Sequence, residues 1–192
     1  LKTLMLANVR FIIYFVFVNK KNIIVISHPR SGTHLLLNTI KNNLKQDLVF
    51  KSWEYFSPTQ QGQSIEAGPP FPRPYSPNLS RSYLIKSHAR SHTELCKQIQ
   101  PSSVVTDSLL IYIHRDPFYV MRSSFYYYPT WSKNCENIIK EALHQKEDPF
   151  KSFINKSGLL EEWVGSVNFW LSFAKSNQLL VISFEKLMSA YE

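Results

Sequence analysis

The strongest constraint on the fold is a short apolar run that leads into a polar loop and then into a helical pattern. Residues 23–27 read Ile-Ile-Val-Ile-Ser, a β-branched run that predicts a buried strand. The segment 28–36, HPRSGTHLL, follows directly, and apolar residues then recur at helical spacing as far as Ile40. A strand, a tight loop and a helix in this order gather backbone N–H groups and the positive end of a helix dipole at one point.

The side chains of this loop are suited to binding an anion. Gly32 lets the backbone approach a ligand closely, while Ser31 and Thr33 add hydroxyl donors. Arg30 adds a positively charged planar fork. The loop lacks the lysine and the second glycine of GxxxxGK[ST], which disfavours an ATP or GTP P-loop. Taken alone, the loop leaves an ordinary strand-to-helix turn open as the alternative to an anion site.

The charge of the chain points to an acidic partner. The 192 residues, enough for one domain with a sizeable core, carry a formal net charge of +8. Nucleic acid, a membrane surface and a phosphorylated small molecule all fit that charge, but no run of five basic residues occurs. Scattered basic residues favour a basic cleft over a nucleic-acid tail. Cys96 and Cys135 are too few for a disulfide framework, which favours a reducing compartment.

Strand and helix patterns alternate along the rest of the chain. Further apolar runs predict strands over Tyr83–Ile85, Leu109–Ile113 and Leu179–Phe184. Helical patterns cover 120–128, 136–145 and 159–175, and the first helix is expected to fade near 44–47. Residues 57–82, rich in Pro, Gly, Ser and Gln, predict a long loop. The alternation predicts an α/β fold of three layers, P-loop-like, with a central, mostly parallel sheet flanked by helices.

Polar clusters stand at the ends of the predicted strands. Besides the loop 28–36, Lys86 and His88 follow the second strand, and Arg115 follows the third, with Ser123 beyond it. The carboxyl ends of parallel strands meet at one edge, so these clusters are expected to converge on one crevice. A lone histidine at a strand end is more often structural than catalytic. His88 and His92 have the i, i+4 spacing of a metal pair, but no third ligand accompanies them, so no metal is predicted.

Four segments in order resemble the sulfotransferases that use 3′-phosphoadenosine 5′-phosphosulfate (PAPS), nearest to the soluble bacterial and cytosolic type. HPRSGTHLL at 28–36 is similar to the loop that binds the 5′-phosphosulfate. IKSH at 85–88 is similar to the strand end with the catalytic lysine and histidine. IYIHRDPFYVMRSSFYYY at 111–128 is similar to the 3′-phosphate segment, and LLVISFEKLM at 179–188 to the strand before the family's YEDL, with Phe184 in place of Tyr.

The resemblance implies a role for each residue of the crevice. PAPS is the implied co-substrate, with no metal, and the residues expected to bind it are Arg30, Ser31, Gly32, Thr33, His34, Arg115 and Ser123. His88 is the expected general base, and Lys86 and Arg30 are expected to stabilise charge on the departing phosphate. The implied acceptor is a hydroxyl or amine of a small molecule or glycan, not a nucleic acid. The implied activity is sulfuryl transfer; the alternative is a catalytically weak or inactive nucleotide-binding relic of the same fold.

The resemblance to this family divides the chain into two parts. Residues 1–22 form an apolar N-terminal extension whose role the sequence does not define, and residues 23–192 form the sulfotransferase domain. That domain is expected to be incomplete, because a basic, glycine-containing segment of the family would follow Glu192. A cytoplasmic location is expected. The alternative is a membrane anchor through residues 4–18, which are mostly apolar but fewer than the roughly 20 residues of a spanning helix.

Overall fold

The computed structural model of the protein describes residues 22–43, 49–52 and 83–189. Within these ranges one sheet is formed by β1 (Asn22–Ser27), β2 (Val49–Ser52), β3 (Tyr83–Ser87), β4 (Ser108–His114) and β5 (Leu179–Ser183). The strands are all parallel and lie in the order β2-β3-β1-β4-β5. The predicted parallel sheet is therefore confirmed, with β1 at its centre.

Helices connect and cover the strands. They are α1 (Thr33–Asn43), α2 (His92–Gln98), α3 (Ser103–Thr106), α4 (Pro117–Tyr127), α5 (Lys133–His144), α6 (Pro149–Ser157), α7 (Leu159–Ala174) and α8 (Phe184–Ser189). A 3₁₀ turn, Tyr128–Thr130, follows α4. None of the helices in the described part of the chain is both long and apolar enough to cross a membrane. Residues 4–18 lie outside that part.

The central strand shows why the fold has three layers. Every residue of β1 is buried, and successive side chains point to opposite faces of the sheet. Ile24 and Ile26 join one core cluster, which includes Trp170 of α7, and Ile23 and Val25 join another, which includes Leu36 of α1. Helices therefore cover both faces, as a parallel sheet requires. This confirms the predicted α/β fold of a sheet between helices.

Strand order places a crevice at the carboxyl end of β1. The chain leaves β1 towards β2 and β3 on one side, and later reaches β4 on the other side. Ile26 is paired with Ser87 of β3, and Ser27 with Ile113 of β4, so the three strands end at nearly the same level. Ligands bind at such points in open α/β sheets, because the connections on the two sides of the central strand diverge.

The boundaries of the predicted elements agree with the structure to within a few residues, but several elements were not predicted. These are β2, α2, α3, α6 and α8. Two of the missed helices begin at side-chain caps: Ser91 accepts from the N–H of Glu94 before α2, and Asp148 accepts from the N–H of Phe150 before α6. Elements this short carry too few apolar positions for a periodic pattern. The predicted loop 57–82 lies outside the described residues.

Helix α7 is hydrogen-bonded to the segment that follows β3. Trp170 has no exposed surface, and its indole N–H donates to the carbonyl of Ala89 at 2.9 Å. The Ser87 hydroxyl accepts from the N–H of Ala89 at 3.0 Å and donates to Gln98 at 2.8 Å. The turn that follows β3, and with it His88, is therefore held by hydrogen bonds from two directions.

We expect Trp170→Phe to lower the free energy of unfolding by about 1–3 kcal/mol, because it leaves the buried Ala89 carbonyl without its donor. Urea unfolding followed by circular dichroism measures the change. Trp131→Phe is the matched control, since that indole is 63% exposed and its replacement should have little effect. Equal stability of the two variants would show that the Trp170 hydrogen bond contributes nothing.

Candidate active site

The loop between β1 and α1 is a tight turn with two left-handed residues. Arg30 has φ +69° and Gly32 has φ +88°, and the N–H of Ser31 donates to the carbonyl of His28 at 3.3 Å. A positive φ in a non-glycine residue is strained, and such strain is found mostly at functional sites. Ser31 is fully buried, and its hydroxyl has no hydrogen-bond partner among the described residues. An unpaired buried donor here is suited to an incoming acceptor.

Gly32 is required for a second reason, which is the ring of Phe184. A Cβ atom added at Gly32 would overlap two carbons of that ring, so any other residue there would force the Phe184 ring to move. The same ring lies against the guanidinium of Arg115, whose central carbon is 4.4 Å from the ring centroid. Phe184 therefore separates the anion loop from Arg115 and contacts both.

Arg30 reaches across the crevice to helix α4. Its Nε donates to the hydroxyl of Ser123 at 3.0 Å, and its guanidinium lies 4.4 Å from the ring centroid of Tyr127. Stacking on an aromatic face and a directed hydrogen bond together fix the plane of the guanidinium. The loop after β1 and the helix after β4 are thus connected through one side chain.

Lys86 brings a second cation to the same edge. It is the fourth residue of β3 and only 3% exposed, and its ammonium lies 3.2 Å from Nε2 of His34 on α1. The ammonium can only donate, so Nε2 of His34 is the acceptor and the His34 ring is neutral in this arrangement. Lys86 is therefore directed towards the start of α1, where the anion loop ends.

His88 is oriented by the end of β1. Its Nδ1 lies 2.7 Å from the carbonyl oxygen of Ser27 and 3.2 Å from the Ser27 hydroxyl. A carbonyl only accepts, so Nδ1 carries the hydrogen, and in the neutral ring Nε2 carries the lone pair. The Ser27 hydroxyl also lies 2.5 Å from the hydroxyl of Thr33, the first residue of α1. Ser27 thus contacts both the histidine and the anion loop.

Arg115 directly follows β4, and its guanidinium lies near two aromatic rings. Besides Phe184, the ring of Tyr119 lies 5.4 Å from its guanidinium carbon. The Nε atom of Arg115 is buried and makes no hydrogen bond to any residue in the described ranges. Stacked faces leave the edge of a guanidinium as the direction in which it can donate, and that edge suits an anion.

A carboxylate holds the backbone beside Arg115. Glu185 accepts from the N–H of Asp116 at 3.0 Å and from the hydroxyl of Ser183 at 2.7 Å. Partial burial would raise the pKa of Glu185, but these hydrogen bonds outweigh it and hold the pKa below the ordinary 4.5. The start of α8 is thereby fixed to the end of β4, and Phe184 is placed against Arg115.

Burial disfavours the charged form of two further histidines, His28 and His114. Burial lowers the pKa of His28 below 6.5, against smaller effects of the Pro29 carbonyl and of charged neighbours. Burial also lowers the pKa of His114, and nearby Glu185 only partly offsets this. These two histidines therefore add little positive charge beside the arginines and Lys86.

The structure brings most of the predicted site residues to one edge, with one difference of detail. Ser123, predicted to act with Arg115, is hydrogen-bonded to Arg30. His92, which has the i, i+4 spacing of a metal pair with His88, lies on α2 with its ring stacked at 5.0 Å on Phe173. Across residues 22–43, 49–52 and 83–189, no group of three His, Cys, Asp or Glu side chains could hold a metal ion.

The sequence analysis does not identify the residues that position the predicted site residues. The sequence marks Ser27 only as the last residue of a strand, and Phe184 only as a substitution for the family's Tyr. Tyr127, which stacks on Arg30, has no role assigned from the sequence. A polar residue that ends a fully buried strand, directly before a polar loop, is a signal that could have identified Ser27.

The fold and the crevice together define an α/β protein of the P-loop-like kind. A family model described as "Sulfotransferase domain" matches residues 20–191, and the chain belongs to this family. Members of the family transfer sulfuryl groups and in general take them from PAPS. No curated protein matches the chain significantly.

We expect Glu185→Gln to destabilise the protein at neutral pH by about 1 kcal/mol, because the charged acceptor of two hydrogen bonds is lost from a largely exposed position. Since the pKa is lowered in the folded state, the carboxylate stabilises fully above about 4.5 and loses its effect as the pH falls through the folded value. Thermal unfolding from pH 7 to pH 3 should therefore show the two proteins converging in acid. Glu141→Gln, on the exposed surface of α5, is the control; a pH-independent gap would contradict the assignment.

Proposed function

We propose that the protein transfers the sulfuryl group of PAPS to a hydroxyl or amine of a small-molecule or glycan acceptor. One observation carries this proposal: two buried donors, the Ser31 hydroxyl and Nε of Arg115, have no partner among the described residues and lie in two separate loops at the same edge of the sheet. PAPS carries negative charge at two separated ends. A ligand of that kind satisfies both donors at once.

The loop after β1 is the proposed site of the 5′ end. Its backbone turns at Arg30 and Gly32 and enters α1 at Thr33, so N–H groups and the helix dipole favour an anion there. Ser31 supplies its unpaired hydroxyl. Lys86, hydrogen-bonded to His34 at the start of α1, adds a positive charge that favours the same group.

Arg115 is the proposed partner of the 3′-phosphate. The rings of Phe184 and Tyr119 hold its guanidinium, and Glu185 holds the backbone next to it, so the cation is preorganised before any ligand binds. The Ser123 hydroxyl is close enough to the crevice to bond Arg30. As an oxygen with one hydrogen, it can accept from Arg30 while it donates to a phosphate.

The chemistry proposed for His88 follows from its orientation. Because Nδ1 donates to the Ser27 carbonyl, the neutral ring presents its lone pair at Nε2, where it can take the proton of an acceptor hydroxyl or amine. The same carbonyl then stabilises the imidazolium. When bound, PAPS supplies an activated sulfuryl group. Lys86 and Arg30 supply positive charge for the phosphate that departs.

Domain extent, compartment and partners are part of the proposal. We assign the catalytic domain to residues 23–192, and the apolar residues 1–22 to an extension. Cys96 and Cys135 are both free thiols, which supports the cytoplasm over an oxidising compartment. No nucleic acid is proposed as a partner, because the cations described above surround a crevice, where they fit a small ligand.

Arg115→Ala should weaken the binding of adenosine 3′,5′-bisphosphate by about tenfold or more, since a charge-assisted hydrogen bond is worth roughly 1.5–3 kcal/mol. Binding of 5′-AMP should be nearly unchanged. Isothermal titration calorimetry with both nucleotides measures the difference, and Arg122→Ala, an exposed arginine on the same helix α4, is the control. Equal affinity of the wild-type protein for the two nucleotides would refute the PAPS assignment.

His88→Ala should lower the rate of sulfuryl transfer by about 10²–10⁴-fold, the usual contribution of a positioned base. Affinity for the bisphosphate should change little, because the ring acts on the acceptor. His92→Ala, four residues further along the chain and stacked on Phe173, is the matched control. Tight bisphosphate binding by a wild-type protein that does not turn over PAPS would instead identify the nucleotide-binding relic.

A further inference from the structure

The end of β1 connects the anion loop to His88 through a single buried hydroxyl. Ser27 is 1% exposed, its hydroxyl lies 2.5 Å from that of Thr33, and it lies 3.2 Å from Nδ1 of His88. The hydroxyls of Thr33 and Ser27 and the ring of His88 thus form one continuous chain of hydrogen bonds. It runs from the first residue of α1, across the central strand, to the residue that follows β3.

The direction of donation along this chain of hydrogen bonds depends on which nitrogen of His88 carries the hydrogen. Each hydroxyl has one hydrogen, and only two arrangements give the buried Ser27 hydrogen an acceptor within this chain of hydrogen bonds. In the first, the hydrogen on Nδ1 of His88 points to Ser27, Ser27 donates to Thr33, and Thr33 donates into the anion loop. In the second, Thr33 donates to Ser27 and Ser27 donates to an unprotonated Nδ1. Only the first places the lone pair on Nε2.

An anion in the loop selects the first direction. It accepts the hydrogen of Thr33, so Thr33 must itself accept from Ser27, and Ser27 is left to accept from Nδ1. Hydrogen bonds in a chain polarise one another, which strengthens this effect at a buried position. The carbonyl of Ser27, 2.7 Å from Nδ1, favours the same tautomer.

We propose that Ser27 is a positioning residue that couples occupancy of the anion loop to the tautomer of His88. When the nucleotide is bound, Nδ1 of His88 then carries the hydrogen and Nε2 is able to accept a proton. This inference rests on the proposed function, because it takes the anion to be the 5′ end of the nucleotide. Ser27 does not touch the reacting groups; it acts through Thr33 and His88.

The test is the ring ¹⁵N spectrum of His88, recorded at a pH at which a free histidine ring is neutral, without and with adenosine 3′,5′-bisphosphate. The chain has six histidines, and His88→Gln identifies the signal by its loss. In the wild-type protein the bisphosphate should increase the share of the Nδ1–H tautomer. In Ser27→Ala only the backbone carbonyl of residue 27 acts on Nδ1, so the share should lie between those of the free and the bound wild-type protein, and the bisphosphate should not change it.

Turnover gives a second readout. Ser27→Ala should lower kcat by about two- to tenfold, the rate equivalent of one neutral hydrogen bond, and Ser27→Thr should restore it because it keeps the hydroxyl. Ser108→Ala is the matched control for stability. Ser108 is a buried serine at the other end of the sheet, and its hydroxyl donates to the carbonyl of Val104. It should lower the melting temperature comparably without changing kcat or the His88 spectrum.

The outcomes separate this inference from the proposed function. Identical His88 spectra in wild-type protein and Ser27→Ala, free and bound, would overturn the role of Ser27 even if the bisphosphate binds well. Failure of the wild-type protein to bind the bisphosphate would overturn the proposed function. The comparison of the two free proteins still decides whether Ser27 sets the tautomer, because it needs no nucleotide.

Discussion

The burial of β1 between two helical layers is the constraint on which the rest depends. All six of its residues are buried, and β3 and β4 pair with it on either side. A strand enclosed in this way cannot shift its register without moving apolar side chains into the wrong layer. Its carboxyl end is therefore a fixed point, and the residues that emerge there are held to a rigid element.

The crevice is built from contacts between segments that are far apart in the sequence. Ser27 meets His88 and Arg30 meets Ser123, pairs separated by 61 and 93 residues. Phe184, near the end of the described chain, lies against both Gly32 and Arg115. Such contacts preorganise charged groups before a ligand arrives, which is the main way a protein assists the transfer of a highly charged group.

Prediction from sequence succeeded where the signal was local. The β-branched runs around Ile24 and Ile111 predicted strands, and their alternation with helical patterns predicted the layered sheet. It failed for β2, which has only four residues, and for short helices such as α2, which begins at the cap provided by Ser91. Caps and tertiary packing stabilise such elements, so no periodic pattern marks them.

The sequence by itself determined the family, the α/β fold and the chemical types of the residues at the strand ends, because each depends on side-chain pattern along continuous segments. Tertiary structure decided which of those residues meet. It paired Arg30 with Ser123, placed the Phe184 ring on Gly32, and made Ser27 the link between Thr33 and His88. The reason is physical: strand order and register bring distant segments within hydrogen-bond distance, and no local pattern encodes a distance between segments.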